Sequence, residues 1–235
     1  MAAYRLICFD AGFTLLQPRL TMPNLLARAL RANGLTPTEE SLQRAWEAAD
    51  RWFWDEYHRP DNHTWRSDES IRATWRQYHG LMLRELGVDD PEHRIADAII
   101  DSQDLPDNWQ LYPDVTPALR ALEGRGLLLA IISDWSSRLP AILQAHGIVE
   151  HFDFVLASGA VGTAKPAPEF YRMALERAGV APEAAIMIGD SYRADVLGAR
   201  SVGMTGVLLD RQGKANGVEA PVIRSLNELG RLLDG

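Results

Sequence analysis

Between residues 127 and 209 the chain repeats one unit: a short apolar run, a small or polar break, then an amphipathic stretch, usually closed by glycine. The runs are 127–132, 152–158, 185–188 and 206–209, and a matching one, 6–9, stands near the N-terminus. None shows a period of 3.6, and each is too uniformly apolar to have one wet face, so each reads as a strand covered on both sides. The intervening stretches have helical spacing and helical stops: Leu139, Ile142 and Leu143 precede Gly147, and the segment opened by Pro168 ends at Gly179. Strand, helix, strand units of this length require right-handed crossovers and a parallel sheet. The fold class is therefore α/β, a doubly wound parallel sheet. Val222-Ile223 is expected as a short edge strand, and Ser225 as the cap of a last helix.

Between the first strand and residue 111 the strand signal is lost and four helical patterns follow one another. The first runs from Thr21 to Asn33, with Leu25, Leu26, Ala29 and Leu30 on one side and Gly34 as its stop. For the second, Thr36 is the expected N-cap, with Pro37 at the first helical position and Glu39 completing a capping box. The third starts at Ser67 or Asp68 and carries Ile71, Trp75, Tyr78, Met82 and Leu86 before Gly87; the fourth follows Asp90-Pro91. The expected organisation is an α/β core formed by 1–16 and 112–235, with a helical cap formed by 17–111. Six of the seven tryptophans fall in that insert, namely Trp46, Trp52, Trp54, Trp65, Trp75 and Trp109. Aromatic residues at helical spacing are usually core, so most are expected to pack a small bundle, with one or two facing a ligand. His58 and His63 are assigned to a surface loop rather than a metal site.

Charge narrows the range of partners. The chain has 24 basic and 32 acidic residues, net −8, and no basic stripe carrying aromatics, which argues against nucleic acid. No apolar run approaches the length that spans a bilayer. Residues 1–5 lead directly into the first strand without the pattern of a signal peptide, and the single Cys8 lies inside that strand, so the expected setting is a reducing cytoplasm.

The strand ends carry the chemistry. Ligands of open parallel sheets bind beyond the carboxyl ends of the strands. Those ends offer Asp10 with Thr14, then Ser133, then Lys165-Pro166 after the third core strand, and Asp190 with Asp195. Three converging carboxylates repel one another unless a cation sits among them, and an all-oxygen set favours Mg²⁺, which also binds phosphate oxygens. Lys165 adds positive charge, and the hydroxyls of Thr14 and Ser133 are expected to donate to phosphoryl oxygens. An Asp so placed can attack phosphorus and form an aspartyl phosphate.

Asp10 with Thr14, Ser133, Lys165-Pro166 and Gly189-Asp190-Ser191 with Asp195 together resemble the four motifs of the haloacid dehalogenase superfamily, in its branch with a helical cap inserted after the first strand. The resemblance covers the whole chain. It implies a hydrolase with Asp10 as nucleophile, Thr14, Ser133 and Lys165 as catalytic partners, Mg²⁺ on Asp10, Asp190 and the Gly12 carbonyl with Asp195 directly or indirectly assisting, and a mobile cap that closes over the substrate. Phosphatases of the superfamily usually have a second Asp two residues after the nucleophile, to protonate the leaving oxygen. This chain has Gly12 there, Phe13 in place of a small residue and Asp134 where relatives often have Asn, and all three are assigned to the substrate side of the site. Three readings follow, in this order: a Mg²⁺-dependent phosphatase or phosphotransferase for a small phosphorylated metabolite, acting as monomer or homodimer; a metal-independent dehalogenase-like hydrolase, which needs the nucleophile but not an acid at position 12; and a non-catalytic phosphate-binding or interaction protein.

Overall fold

A computed structural model describes residues 4–59 and 62–234. The residues before Tyr4, on which the reading of the N-terminus rests in part, lie outside the described residues, as do 60, 61 and 235. In chain order the elements are β1 (Leu6–Phe9), β2 (Leu16–Pro18), α1 (Met22–Ala32), α2 (Glu39–Tyr57), α3 (Asp68–Glu85), α4 (Arg94–Gln103), β3 (Trp109–Leu111) and α5 (Val115–Leu122). The chain continues through β4 (Leu128–Ser133), α6 (Leu139–Ala145), β5 (Phe154–Ala157), the single turn α7 (Ser158–Val161), α8 (Pro168–Ala178) and β6 (Ala185–Gly189). A π-helical turn, Tyr192–Leu197, then runs into α9 (Gly198–Arg200), β7 (Thr205–Leu209), β8 (Val222–Ile223) and α10 (Leu229–Asp234).

Six strands form one parallel sheet in the order β5-β4-β1-β6-β7-β8, with β1 bonded to β4 on one side and β6 on the other. Because strand side chains alternate, β1 feeds two cores at once: Ile7 and Phe9 enter the face covered by Val115, Leu119, Ile142 and Leu229, while Leu6 and Cys8 enter the face covered by Phe170, Tyr171 and Ala199. All four residues of β1 are fully buried. That explains the uniformly apolar run. The fold class is the α/β parallel sheet expected from the repeat.

A third apolar cluster lies in the insert, where Leu26, Leu30, Ala45, Ala49, Met82 and Ile99 join α1 to α4. The chain enters and leaves this insert through a small antiparallel pair, β2 with β3, which periodicity did not reveal because each strand has three residues. Two helix starts differ from expectation. Thr38, not Thr36, caps α2, its hydroxyl accepting from the Ser41 amide at 3.2 Å, so Glu39 opens the helix instead of closing a capping box. The fourth helix begins at Arg94, yet Asp90 still serves it, its carboxylate accepting the amides of Ile95 and Ala96. Ser67 caps α3 in a reciprocal box with Ser70. His58 and His63 are exposed, as expected of a surface loop.

Candidate active site

Adjacency in the sheet brings the strand ends together. Asp10 follows β1, Ser133 is the last residue of β4 beside it, and Gly189-Asp190 ends β6 on the other side. Asp10 Oδ1 accepts two hydrogen bonds, from Ser133 Oγ at 2.9 Å and from Lys165 Nζ at 2.6 Å. Lys165 Nζ also reaches Asp195 Oδ1 at 2.7 Å, and Asp195 Oδ2 accepts the Ser191 amide at 2.9 Å. Both oxygens of the wholly buried Asp195 are therefore engaged. This close approach requires glycine before Asp190, since a Cβ on Gly189 would lie 2.1 Å from Asp195 Oδ2.

Carboxylate oxygens of Asp10, Asp190 and Asp195 lie within 4.8 Å of one another. One ammonium cannot balance three carboxylates. Although Asp190 opens onto the cleft, removal from bulk water and then the charges of Asp10 and Asp195 push its carboxyl up to about 8. Burial alone would lower the Lys165 ammonium, but Asp10 and Asp195 override that and hold it well above its ordinary range. The donor set is all oxygen and carries excess negative charge, which suits a hard divalent cation.

The residues assigned from sequence divide into two groups. Asp10, Gly12, Phe13, Ser133, Asp134, Lys165, Asp190 and Asp195 all line one cleft between sheet and insert. Thr14 is not in that lining: it is fully buried, and its hydroxyl has no hydrogen-bond partner among the described residues. Its carbonyl instead accepts from Arg211 Nη2 at 2.7 Å, while that guanidinium pairs with Asp114 at 3.0 Å and lies 3.8 Å over the Tyr112 ring. Arg211 thereby fixes the turn after the nucleophile. Within that turn Phe13, not Gly12, takes the left-handed conformation, with φ at 55°. Asp134 serves the site partly as a strut, its Oδ1 accepting the Lys165 amide at 2.9 Å, and burial pushes its carboxyl up to about 7.

Residues 4–203 match the haloacid dehalogenase-like hydrolase family. The chain belongs to that family. Mouse haloacid dehalogenase-like hydrolase domain-containing protein 3 is 34% identical over 207 residues, covering 87% of this chain and 81% of that protein. Among solved structures, a haloacid dehalogenase superfamily phosphatase from Thermococcus onnurineus is 28% identical with a TM-score of 0.68, covering 98% of both chains. The 2-haloacid dehalogenase of Pseudomonas syringae pv. Tomato DC3000 is 25% identical with a TM-score of 0.67, again over 98% of both. The family's fold thus accounts for nearly the whole chain.

Sequence reasoning missed what the insert brings to this cleft. Trp46, Trp54, Trp65, Trp75 and Trp109 all line it, where one or two tryptophans were expected. The helices α2 and α3 meet through Ala45, Ala49, Tyr78, Met82 and Leu83, and Trp46, Phe53 and Trp75 pack against that cluster while also lining the cleft. Tyr57, at the end of α2, also lines the cleft, and burial followed by the Asp134 carboxyl pushes its phenol up, so it remains a protonated donor. Polar bonds join insert to core here: Asp68 accepts the Ser137 amide at 2.8 Å, Ser136 Oγ donates to Asp104 at 3.1 Å, and Arg193 Nη1 donates to the Tyr57 carbonyl at 3.3 Å. A signal existed in the i, i+4 spacing of Phe53 with Tyr57, but periodicity does not say which of two apolar sides faces a ligand.

Proposed function

We propose that this hydrolase is a Mg²⁺-dependent phosphatase acting on a small phosphorylated substrate through an aspartyl phosphate on Asp10. The observation that carries the reading is the cluster of Asp10, Asp190 and Asp195 around Lys165, with carboxylate oxygens within 4.8 Å of one another. Asp10 and Asp190, with the Gly12 carbonyl, would hold the ion, which when bound supplies positive charge against the phosphoryl oxygens. Asp195 acts one contact away by holding Lys165 and the backbone of Ser191.

With Asp10 Oδ1 occupied by Ser133 and Lys165, Oδ2 is the attacking atom. A bond forms from Oδ2 to phosphorus as the ester oxygen departs, and Ser133 and Lys165 keep the carboxylate aimed while limiting its rotation. Water then hydrolyses the acyl phosphate. Gly12 supplies no acid for the departing oxygen, so substrates with weakly basic leaving groups are favoured. The helical insert, 17–111, serves as a cap over the core of 1–16 and 112–235, and its bonds through Asp68, Asp104 and Tyr57 correspond to a closed arrangement. No helix among the described residues is long and apolar enough to cross a membrane, and with a single buried cysteine we place the enzyme in the cytoplasm, as a monomer or homodimer without nucleic-acid partners.

Phosphate release from acetyl phosphate and aryl phosphates, with and without Mg²⁺, tests this reading. Asp10→Asn should abolish turnover in a folded protein; full activity in that variant would reject Asp10 as nucleophile. Gly12 favours a second reading, attack of Asp10 on a halogen-bearing carbon, for which no acid at position 12 is needed. Halide release that is indifferent to chelators would select it.

A further inference from the structure

The cleft above Asp10 has a volume of about 1220 Å³. That exceeds the roughly 300–1,000 Å³ typical of clefts for drug-sized ligands, and far exceeds what a phosphate with a few carbons needs. Aromatic rings form much of its apolar surface. Phe53 and Trp75 lie parallel within 9°, their centroids 5.4 Å apart, and Trp65 meets Trp75 edge to face at 6.0 Å. At the nucleophile end Trp135 sits 3.4 Å from where a Gly12 Cβ would be, so an indole borders the place from which an acid would act. Two large apolar side chains on this cleft are half exposed, Phe13 at 54% and Trp54 at 48%. Phe13 presents its ring from a left-handed backbone that disfavours any side chain, by roughly 1 kcal/mol.

Charge along the same cleft points the same way. Away from Lys165 the lining includes Glu39, Glu40, Asp50, Asp68 and Asp104, and its guanidiniums, Arg72 and Arg138, are already paired, Arg72 with Asp97 and Asp101 and Arg138 with Asp104. A second phosphate or a carboxylate on the substrate would meet net negative charge there.

We infer that the substrate is the monophosphate ester of a planar aromatic hydroxyl compound bearing no second anionic group. The inference rests on the phosphatase reading and specifies its substrate class. Two independent features support it. Phe13 and Trp54, half exposed on the cleft, offer ring surface for a planar leaving group, backed by the mutually stacked Phe53 and Trp75. A phenolic oxygen departs as a weak base, which suits a site with glycine at position 12. In the step itself the P–O bond to the aryl oxygen breaks, its electron pair leaves on the phenolate, and solvent supplies the proton.

The test compares 2-naphthyl phosphate with acetyl phosphate, which has a good leaving group but no ring, and phenyl phosphate with 4-carboxyphenyl phosphate, all with Mg²⁺. The naphthyl ester should have about tenfold higher kcat/KM than acetyl phosphate, mainly through KM, and the carboxylated ring should lose severalfold against phenyl phosphate. Trp54→Ala, at a half-exposed position, should reduce the naphthyl-to-acetyl ratio severalfold, and Trp75→Leu provides a second variant. Equal kcat/KM values, or a ratio unmoved by both variants, would overturn the substrate class while leaving the phosphatase reading intact. If none of the four phosphates is hydrolysed, the phosphatase reading fails, and calorimetric titration of the unmodified protein with 2-naphthyl phosphate decides the rest: binding tighter than inorganic phosphate supports the aromatic site, and binding no tighter overturns it.

Discussion

At position 12 two requirements meet: a backbone path around the nucleophile and the chemistry of the leaving group. The backbone of Gly12 is outside the left-handed region, and an added Cβ would touch the edge of the Trp135 ring at 3.4 Å, an ordinary contact. Gly12→Asp should therefore fold and should raise kcat/KM for alkyl phosphates over aryl phosphates by roughly 10²-fold or more, the usual scale of general acid catalysis. Competition assays with the two ester classes give the ratio directly. If a folded variant leaves it unchanged, the proton already comes from elsewhere, and Asp134, whose carboxyl is raised to about 7, is the group to mutate next. The sequence marked Asp10, Ser133 and Asp190 because a buried strand must end somewhere and the polar residue at its end is forced towards the sheet's rim, whereas Lys165 and Asp195, several residues further on, were marked by their spacing within the motifs. It could not mark the direction of Thr14, four residues into a turn, where a single left-handed residue, Phe13, rotates everything that follows.

Within the insert, the helix α3 carries a histidine that reports on packing. His79 is fully buried between Trp75, stacked at 5.9 Å, and Gln103, which lies 3.0 Å from Nε2, and its Nδ1 has no partner among the described residues. Burial holds its pKa down to about 4. The unfolded chain, with an ordinary histidine, binds the extra proton as pH falls below about 6.5, whereas the folded chain resists until about 4. Stability should thus be unaffected above pH 7 and fall by about 2 kcal/mol between pH 7 and 5 from this group alone. Denaturant titrations at the two pH values, on the natural protein and His79→Gln, measure it; an equal loss in both would assign the pH dependence to other groups. Helix existence in this region was legible from spacing and caps, while the ends of α2 and α4 were not, because Thr36 and Thr38 are equally good caps and Asp90 acts across several residues. Which side of an aromatic helix is core was equally hidden, since stacking on a neighbour and facing a ligand use the same residues at the same spacing.

For the molecule as a whole, the proposed metal site links metal to stability. An ion bound only by the native arrangement of Asp10 and Asp190 stabilises it by about 2.7 kcal/mol at a hundredfold excess over Kd. Mg²⁺ should accordingly raise Tm, and Asp190→Ala should erase the rise; a persistent shift in that variant would place the ion elsewhere. The order of the six strands follows from right-handed crossovers only in part, and the β2–β3 pair at the base of the insert belongs to pairing between segments some ninety residues apart, which no local pattern encodes. Cys8, buried at the centre of β1 with a thiol that burial pushes well up, has a practical consequence. As the chain's one cysteine, it can be modified by an alkylating or disulfide reagent only when the central strand is released. Labelling kinetics therefore time the opening of the α/β layers, while fluorescence in a Trp135→Phe variant is weighted towards the helical insert, which holds most of the remaining tryptophans, so the two signals time different parts. Coincident denaturant midpoints would show a single cooperative transition; labelling that lags the fluorescence change would show the insert melting first.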